Sequence, residues 1–181
     1  MSINKYSHAA RGSALLETAI MLPLLFLLFL NAANFGTYIY AWITVNNAAR
    51  AAAEFQVYNG VVVGFPQLPS FSTVCLNVWQ TDVSSLPSVG AKTGDCGWGN
   101  VTLEICSNDN GSISCSISGS GSAPALTIPA DPEPDKHILY LAQVAYDYTP
   151  IFPVFTLPVI DLPLSLSPAT LTRQVVMRSM Q

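Results

Sequence analysis

Charged residues are scarce in this sequence, and their scarcity is the first guide to its environment. Only 10% of the 181 residues are Asp, Glu, Lys or Arg, against about 25% in an average soluble domain. None occurs from Thr18 to Ala49, whereas a stretch of about 20 apolar residues is enough to cross a bilayer. The composition therefore predicts that part of the chain lies in lipid or in contacts between subunits.

Basic residues are especially few, which argues against a nucleic-acid partner. Lys5 and Arg11 precede the apolar run with no acid beside them, so the positive-inside bias predicts a cytoplasmic N-terminus and a single membrane pass. Without residues 1–12 the chain keeps five basic and eleven acidic residues, a net charge of −6. Such a chain is expected to bind no nucleic acid.

Groups suited to catalysis or metal binding are also sparse. His8 lies in the basic leader, and His137 follows a charged, proline-containing stretch in which a solvated surface residue is a simpler interpretation than a catalytic base. Asp131, Glu133 and Asp135 are separated by prolines and lack the spacing of a calcium-binding loop. The sequence therefore predicts no catalytic residues, no metal and no cofactor.

The four cysteines all follow the apolar run, and an even number in an exported segment favours disulfides. Their separations of 21, 10 and 9 positions lack the close pairs typical of a zinc site. The disulfide candidates are Cys75, Cys96, Cys106 and Cys115. We expect Cys106 to pair with Cys115, and Cys75 with Cys96.

One long helix is predicted from Ser13 to about Tyr58, because the stop signal Asn59-Gly60 follows it. At 1.5 Å per residue it would be roughly 65 to 70 Å long, about twice the hydrocarbon thickness of a bilayer. Its outer half is rich in alanine and places Arg50 and Glu54 at i and i+4, which favours a helix that also packs closely.

From Val61 onward the composition changes to Gly, Ser, Thr, Pro and β-branched residues. This composition predicts a small β-rich domain. Its clearest hairpin runs from Val101 to Ile117, and two registers compete for it. A two-residue turn at Asn110-Gly111 places Cys106 opposite Cys115. A three-residue turn would separate these cysteines but would bring the apolar residues of both strands onto one face.

Two further strands are predicted near 138–148 and 171–177. In the first, alternate residues from Ile138 to Tyr148 share one apolar face. The segment between the strands contains five prolines in a strongly apolar context, which excludes a central strand and argues against a free linker. We expect this segment to fold back over the domain, and the alternative is an apolar patch offered to a partner.

A short motif stands directly before the apolar run. Arg11-Gly12-Ser13 is followed by Glu17 at the start of the predicted helix. A peptidase that removes a basic leader at the cytoplasmic face needs a small residue before the cut, which predicts cleavage between Gly12 and Ser13. Glu17 would then lie one helical turn from the new amino group. A carboxylate near lipid is costly unless it is paired, so we expect it to bind the amine of a neighbouring subunit; the alternative is a water-exposed acid favoured by the helix dipole.

Several segments resemble the TadE-like family, the pseudopilins or minor pilins of the tight-adherence (Flp) pilus system. They are Arg11–Leu25, Asn34–Gly36, Asn46–Ala53 and Val144–Pro153. The resemblance implies processing by a prepilin peptidase in the bacterial inner membrane and a hetero-oligomeric assembly with other pilus subunits, including TadF- and TadG-like minor pilins. Thr18 departs from the family, which usually carries an aromatic residue after the glutamate.

The predicted fold class is therefore α+β and pilin-like, with a long transmembrane helix followed by a small, disulfide-bonded, β-rich extracytoplasmic domain. The predicted organisation is a leader at 1–12, a helix at 13–59 that spans the membrane in its first half, and a periplasmic head at 60–181. The leading interpretation is a non-enzymatic pilus component in contact with inner-membrane lipid. The alternative is a membrane-tethered periplasmic binding module without a pilus role. A cleaved secretory signal fits less well, because the residues after Leu30 do not match an A-x-A site.

Overall fold

The computed structural model describes residues 7–60, 70–87, 89, 99–121, 123–130, 137–152, 156–157, 162–163 and 166–180. Only the backbone is described for residues 7–13, 59–60, 79, 81, 156–157, 162–163 and 180.

The first element, α1, is a helix from Ser7 to Gly60. It begins six residues before the predicted Ser13 and ends at the predicted Asn59-Gly60 stop. Polar side chains along it mostly bond to their own helix, as membrane helices require. The Thr18 hydroxyl donates to the carbonyl of Ala14 at 2.6 Å, and the Asn31 amide donates to the carbonyl of Leu27 at 3.0 Å.

A second helix, α2, extends from Phe71 to Thr81. The sequence predicted no helix here, because this segment was assigned to the β-rich domain. Ser70 caps it, because its side chain accepts the backbone N–H of Thr73. Val74, Cys75 and Val78 lie on one side of α2 and are fully buried. A single 3₁₀ turn, Val83–Ser85, follows.

Four strands form an antiparallel sheet in the order β2-β1-β3-β6. They are β1 at Val101–Asp109, β2 at Ser112–Gly119, β3 at His137–Tyr148 and β6 at Ala169–Met180. Two short strands, β4 at Thr156–Leu157 and β5 at Leu162–Pro163, pair with each other. The predicted hairpin is therefore present as β1 and β2, and the two further predicted strands are present as β3 and β6.

One face of the sheet and the outer half of α1 share the main core. The alternate residues predicted to share a face of β3 do so, since Ala142, Val144 and Tyr146 lie opposite Ile105, Leu103 and Val101. Small residues on α1 allow the helix backbone to approach this face. The fully buried α1 residues of this core are Ala41, Ala48, Ala49, Ala52 and Ala53, with Val45 at 1% exposure.

The other face of the sheet is covered by the segment 123–130. The Gln143 amide donates to the carbonyl of Pro124 at 2.7 Å, and the Gln174 amide donates to the carbonyl of Thr127 at 2.6 Å. A smaller apolar cluster lies beneath this segment and consists of Cys106, Leu139 and Leu141, with Leu126 and Ile128 packed on it. Because both faces are covered, the central strand β3 is buried along nearly its whole length.

The β1–β2 hairpin adopts the two-residue register. Cys106 lies opposite Cys115, and the two form a disulfide with a Cα–Cα distance of 4.1 Å. Asn110 and Gly111 have φ values of 49° and 84°, as a turn with two left-handed residues requires. The expected Cys106–Cys115 pairing is confirmed, and the register favoured by apolar patterning is wrong. Ile113 and Ile117 consequently lie on the face away from α1 and remain 53% and 62% exposed.

The chain divides into two compact units. One contains Met1–Thr37 and Pro150–Ser167, and the other contains Tyr38–Thr149 and Pro168–Gln181. In the first unit the Asn34 side chain bonds both backbone groups of Phe152, so the first residues of the proline-rich segment are attached to α1. In the second unit the sheet and α1 form the core described above. A long apolar helix followed by a disulfide-bonded antiparallel sheet confirms the predicted α+β, pilin-like fold class.

Candidate processing and assembly surfaces

The predicted processing segment lies within the first two turns of α1. Gly12 and Ser13 are consecutive residues of its helical backbone, and nothing beyond their backbone is described. Glu17 follows one helical turn after Ser13, and its side chain is exposed. Among the described residues, Glu17 has no hydrogen-bond or ion-pair partner. The geometry leaves this carboxylate available to a group on another molecule.

The next turns of α1 expose large apolar side chains around the whole circumference of the helix. A helix that is apolar on all sides is suited to lipid or to a bundle of other helices. This helix is long and apolar enough to cross a membrane, which is consistent with a single span. The residues that are more than half exposed here are Leu15, Leu16, Ile20, Met21, Leu22, Leu24, Leu25, Phe26, Leu28 and Phe29.

A groove of about 610 Å³ lies between α1 and β6, the strand at one edge of the sheet. Arg50 and Arg173 are exposed at this groove, and among the described residues neither guanidinium has a partner. In particular, Arg50 and Glu54 do not form the ion pair that their spacing allows. The groove is therefore a local cationic surface on an acidic chain. Its remaining lining residues are Trp42, Ile43, Asn46, Asn47, Gln174, Val175 and Val176.

Among the described residues, two buried tyrosines of the core have raised pKa values. Burial, followed by the nearby Tyr148, raises the pKa of Tyr146 to about 12. The Tyr146 hydroxyl donates a hydrogen bond to the carbonyl of Pro87. Burial, followed by the charge of Asp109, raises the pKa of Tyr140. Both groups remain neutral at physiological pH, so they stabilise the core and offer no general base.

The described residues contain one group of three possible metal ligands, formed by Glu104, Cys106 and Cys115. The two cysteines are joined in a disulfide and therefore have no thiolate to donate. This group is not a metal site. His137 is the first residue of β3 and is half-buried, which differs from the solvated position predicted for it.

The second predicted disulfide can be followed only in part. Cys75 is buried in α2 and is disulfide-bonded. Cys96 lies outside the described residues, as do Asp131, Glu133 and Asp135. The pairing of Cys75 with Cys96 therefore stays a prediction.

The fold and the exposed apolar helix define the class as a pilin-like protein, with one candidate membrane helix among the described residues. Comparison with known families narrows this class. Residues 12–54 match the model of the TadE-like protein family, which confirms the sequence resemblance over that range. The matched family is one of Tad pilus-associated, pilin-like proteins that are generally non-catalytic. Among curated proteins and among solved structures, no match to the chain is found.

The sequence did not predict two features of the structure, the groove beside β6 and the contact between Asn34 and Phe152. The groove beside β6 depends on the strand order, which no local pattern specifies. The bond between Asn34 and Phe152 joins residues 118 positions apart. Its only sequence signal is an asparagine within a stretch that lacks charged residues.

Proposed function

We propose that this chain is a non-enzymatic pseudopilin or minor pilin that acts in the assembly of a tight-adherence (Flp) pilus. The observation that carries the proposal is the extent of the family match, which starts at Gly12 and continues through Glu17 and the apolar helix to residue 54. The matched range thus contains the predicted cleavage position, Glu17, the apolar turns of α1 and its alanine-rich stretch.

In this proposal a prepilin peptidase cuts between Gly12 and Ser13 at the cytoplasmic face of the bacterial inner membrane. The N-terminus is cytoplasmic, and the sheet-containing part is periplasmic. Removal of Lys5 and Arg11 with the leader lowers the cost of moving the helix end out of the cytoplasmic interface, because charged groups are costly in lipid. The exposed apolar surface of α1 then becomes available to other pilus subunits and to TadF- and TadG-like minor pilins.

Glu17 is proposed to set the register between subunits. Its exposed carboxylate has no partner among the described residues, and after cleavage the amine of Ser13 on a neighbouring subunit is a suitable one. In a low-dielectric bundle, a charge that lacks its partner is strongly destabilising. The pair would therefore favour the one axial alignment of adjacent helices that brings carboxylate and amine together.

The direct test is the intact mass of the membrane-extracted protein from cells that contain an active prepilin peptidase. We expect Ser13 to be the first residue. Gly12→Leu should retain the leader, whereas Gly36→Ala, at a helix position with open space beside it, should be processed normally. A native protein that begins upstream of Gly12 would refute the proposal.

A second variant pair tests the role of Glu17. Glu17→Ala should be cleaved normally but should copurify with fewer pilus subunits, while Glu54→Ala, which changes another exposed acid of α1, should behave like the native chain. Normal assembly by Glu17→Ala would exclude the pairing role and leave the processing proposal intact.

One observation favours a membrane-tethered periplasmic binding module as the alternative function. The groove beside β6 presents Arg50 and Arg173, which have no partner in the described part of the chain, together with the half-exposed Trp42. This combination suits an anionic ligand with an apolar part. A simple tether needs no cleavage after Gly12. The same mass measurement therefore separates the two functions.

A further inference from the structure

Asn34 differs from the other polar residues of the apolar part of α1. Thr18, Asn31 and Thr37 donate to carbonyls three or four residues earlier in the same helix. Asn34 reaches instead to the start of the proline-rich segment. Its Nδ2 donates to the carbonyl of Phe152 at 3.2 Å, and its Oδ1 accepts the N–H of Phe152 at 3.1 Å.

The position of Asn34 along α1 places this contact at membrane depth. This step rests on the proposed membrane placement of the helix, with Glu17 at the cytoplasmic boundary. Asn34 is then about 25 Å further along the axis, inside a hydrocarbon layer about 30 Å thick. Tyr38, Tyr40 and Trp42 follow within about two turns, and these residue types are enriched at membrane interfaces.

A main chain that enters lipid must have its polar groups bonded, since each unsatisfied group costs several kcal/mol. The Asn34 amide provides a donor and an acceptor to Phe152, so both main-chain groups of that residue are satisfied. Because Asn34 is only 1% exposed, its own amide is also shielded from lipid. The two hydrogen bonds between Asn34 and Phe152 therefore satisfy both the polar side chain in the span and the irregular backbone beside it.

The rest of the segment has a composition suited to the same environment. Residues 150–167 contain a single ionisable group, Asp161, and four prolines, which have no N–H to satisfy. The backbones of β4 and β5 pair with each other within it. Ile151, directly before the bonded residue, is 58% exposed, and the segment forms one compact unit with residues 1–37 of the chain.

We propose that the start of this segment, at Ile151 and Phe152, is a second membrane contact that lies in the outer leaflet beside α1. The occupant of its exposed apolar surface is the acyl-chain region of the lipid. Asn34 is the positioning residue that holds the segment at that depth. The chain would thus be anchored by a helix and by an apolar segment that returns to the membrane after the third strand of the sheet.

The experiment measures the surroundings of Ile151 in the full chain. The Ile151→Cys variant is labelled without reductant by an environment-sensitive fluorophore and reconstituted in phosphatidylcholine–phosphatidylglycerol vesicles. Leu25→Cys serves as the lipid reference and Ile117→Cys as the water reference, because both native side chains are 62% exposed. The native chain, treated in parallel, gives the background labelling.

We expect a lipid with a nitroxide high on its acyl chain to quench the label at 151 as strongly as the label at 25, while aqueous iodide quenches only the label at 117. Quenching of the 151 label by iodide, with the 25 label still in lipid, would overturn the inference and leave the membrane span intact. Protection of the 151 label from both quenchers would also overturn it, since a protein would then cover the site. Failure of the lipid to quench the 25 label would contradict the membrane placement itself.

Two substitutions test the role of Asn34. In the labelled Ile151→Cys background, Asn34→Leu should shift the fluorescence emission to longer wavelength and should allow iodide to quench the label. Asn31→Leu should leave the label unchanged, because Asn31 bonds only within its own helix turn among the described contacts. Equal behaviour of the two variants would refute the positioning role.

Discussion

The buried Tyr146 provides the sharpest test of how the core of the sheet-containing unit is held together. Its side chain is fully buried, and its hydroxyl donates to the carbonyl of Pro87. Tyr146→Phe removes the donor but leaves the ring, so the Pro87 carbonyl loses its partner. The cost at neutral pH should be about 1–3 kcal/mol of the free energy of unfolding, the range for a buried group left without its hydrogen bond.

The pH dependence of this difference follows from the raised pKa of Tyr146. The folded chain holds the phenol proton up to about pH 12, whereas the unfolded chain releases it near pH 10. The stabilisation is therefore complete below about pH 10 and is lost as the pH rises through the folded-state value. By about pH 11 the native chain should have lost about 1.4 kcal/mol that the phenylalanine variant, which cannot ionise, keeps.

The assay is urea unfolding of both full chains in detergent, followed by near-ultraviolet circular dichroism from neutral to alkaline pH. The stability gap should narrow with rising pH, by about 1.4 kcal/mol at about pH 11 and by about 2.3 kcal/mol at about pH 12. Tyr140 also titrates in the alkaline range, but it is present in both chains and its effect cancels in the difference. Tyr58→Phe changes a tyrosine that is 72% exposed and should match the native chain throughout. A gap at about pH 11 equal to that at neutral pH would refute the link between Tyr146 ionisation and folding.

Three further changes test other parts of the fold by urea unfolding. Replacing both cysteines of the Cys106–Cys115 disulfide, which are 9 positions apart, should cost about 2.6 kcal/mol by the loop-entropy relation, and an unchanged midpoint would contradict this. Gly119→Ala would place a Cβ 1.9 Å from a main-chain oxygen and should cost more than Gly111→Ala, which has open space and should lose only about 1 kcal/mol. Ala52→Leu should cost about 1–3 kcal/mol by overpacking the helix–sheet contact, whereas the partly exposed Ala51→Leu should change stability by less than about 0.5 kcal/mol.

The main elements were predictable because their signals are local and long. The end of α1 follows from Asn59-Gly60, and the alternating face of β3 was readable because half of its residues had to meet the same core. The disulfide was also predicted, although apolar patterning opposed it. That pattern failed at β2 because β2 is an edge strand, on which the helix-facing positions are serines and the isoleucines lie on the exposed side.

The remaining features depend on tertiary context. The helix α2 contains β-branched residues that lower helix propensity, yet burial of Val74 and Val78 overrides this preference. The hydrogen bonds between Asn34 and Phe152 could not be predicted from either segment, because no local sequence pattern specifies which distant residue an asparagine will bond. The candidate processing residues were located by a motif. Their proposed roles involve a peptidase and neighbouring subunits, which a single chain does not contain.

The packing of α1 restricts how subunits could assemble. The alanine-rich stripe predicted to pack closely is occupied by the chain's own sheet, so it is closed to another helix. In the same part of α1, Ile43, Asn47, Arg50 and Glu54 remain on the surface. If the chain assembles as proposed, the exposed apolar turns nearer the N-terminus, where Glu17 lies, offer the larger surface for helix–helix contact. The proposed pairing of Glu17 would then set the register between subunits within this apolar part of α1.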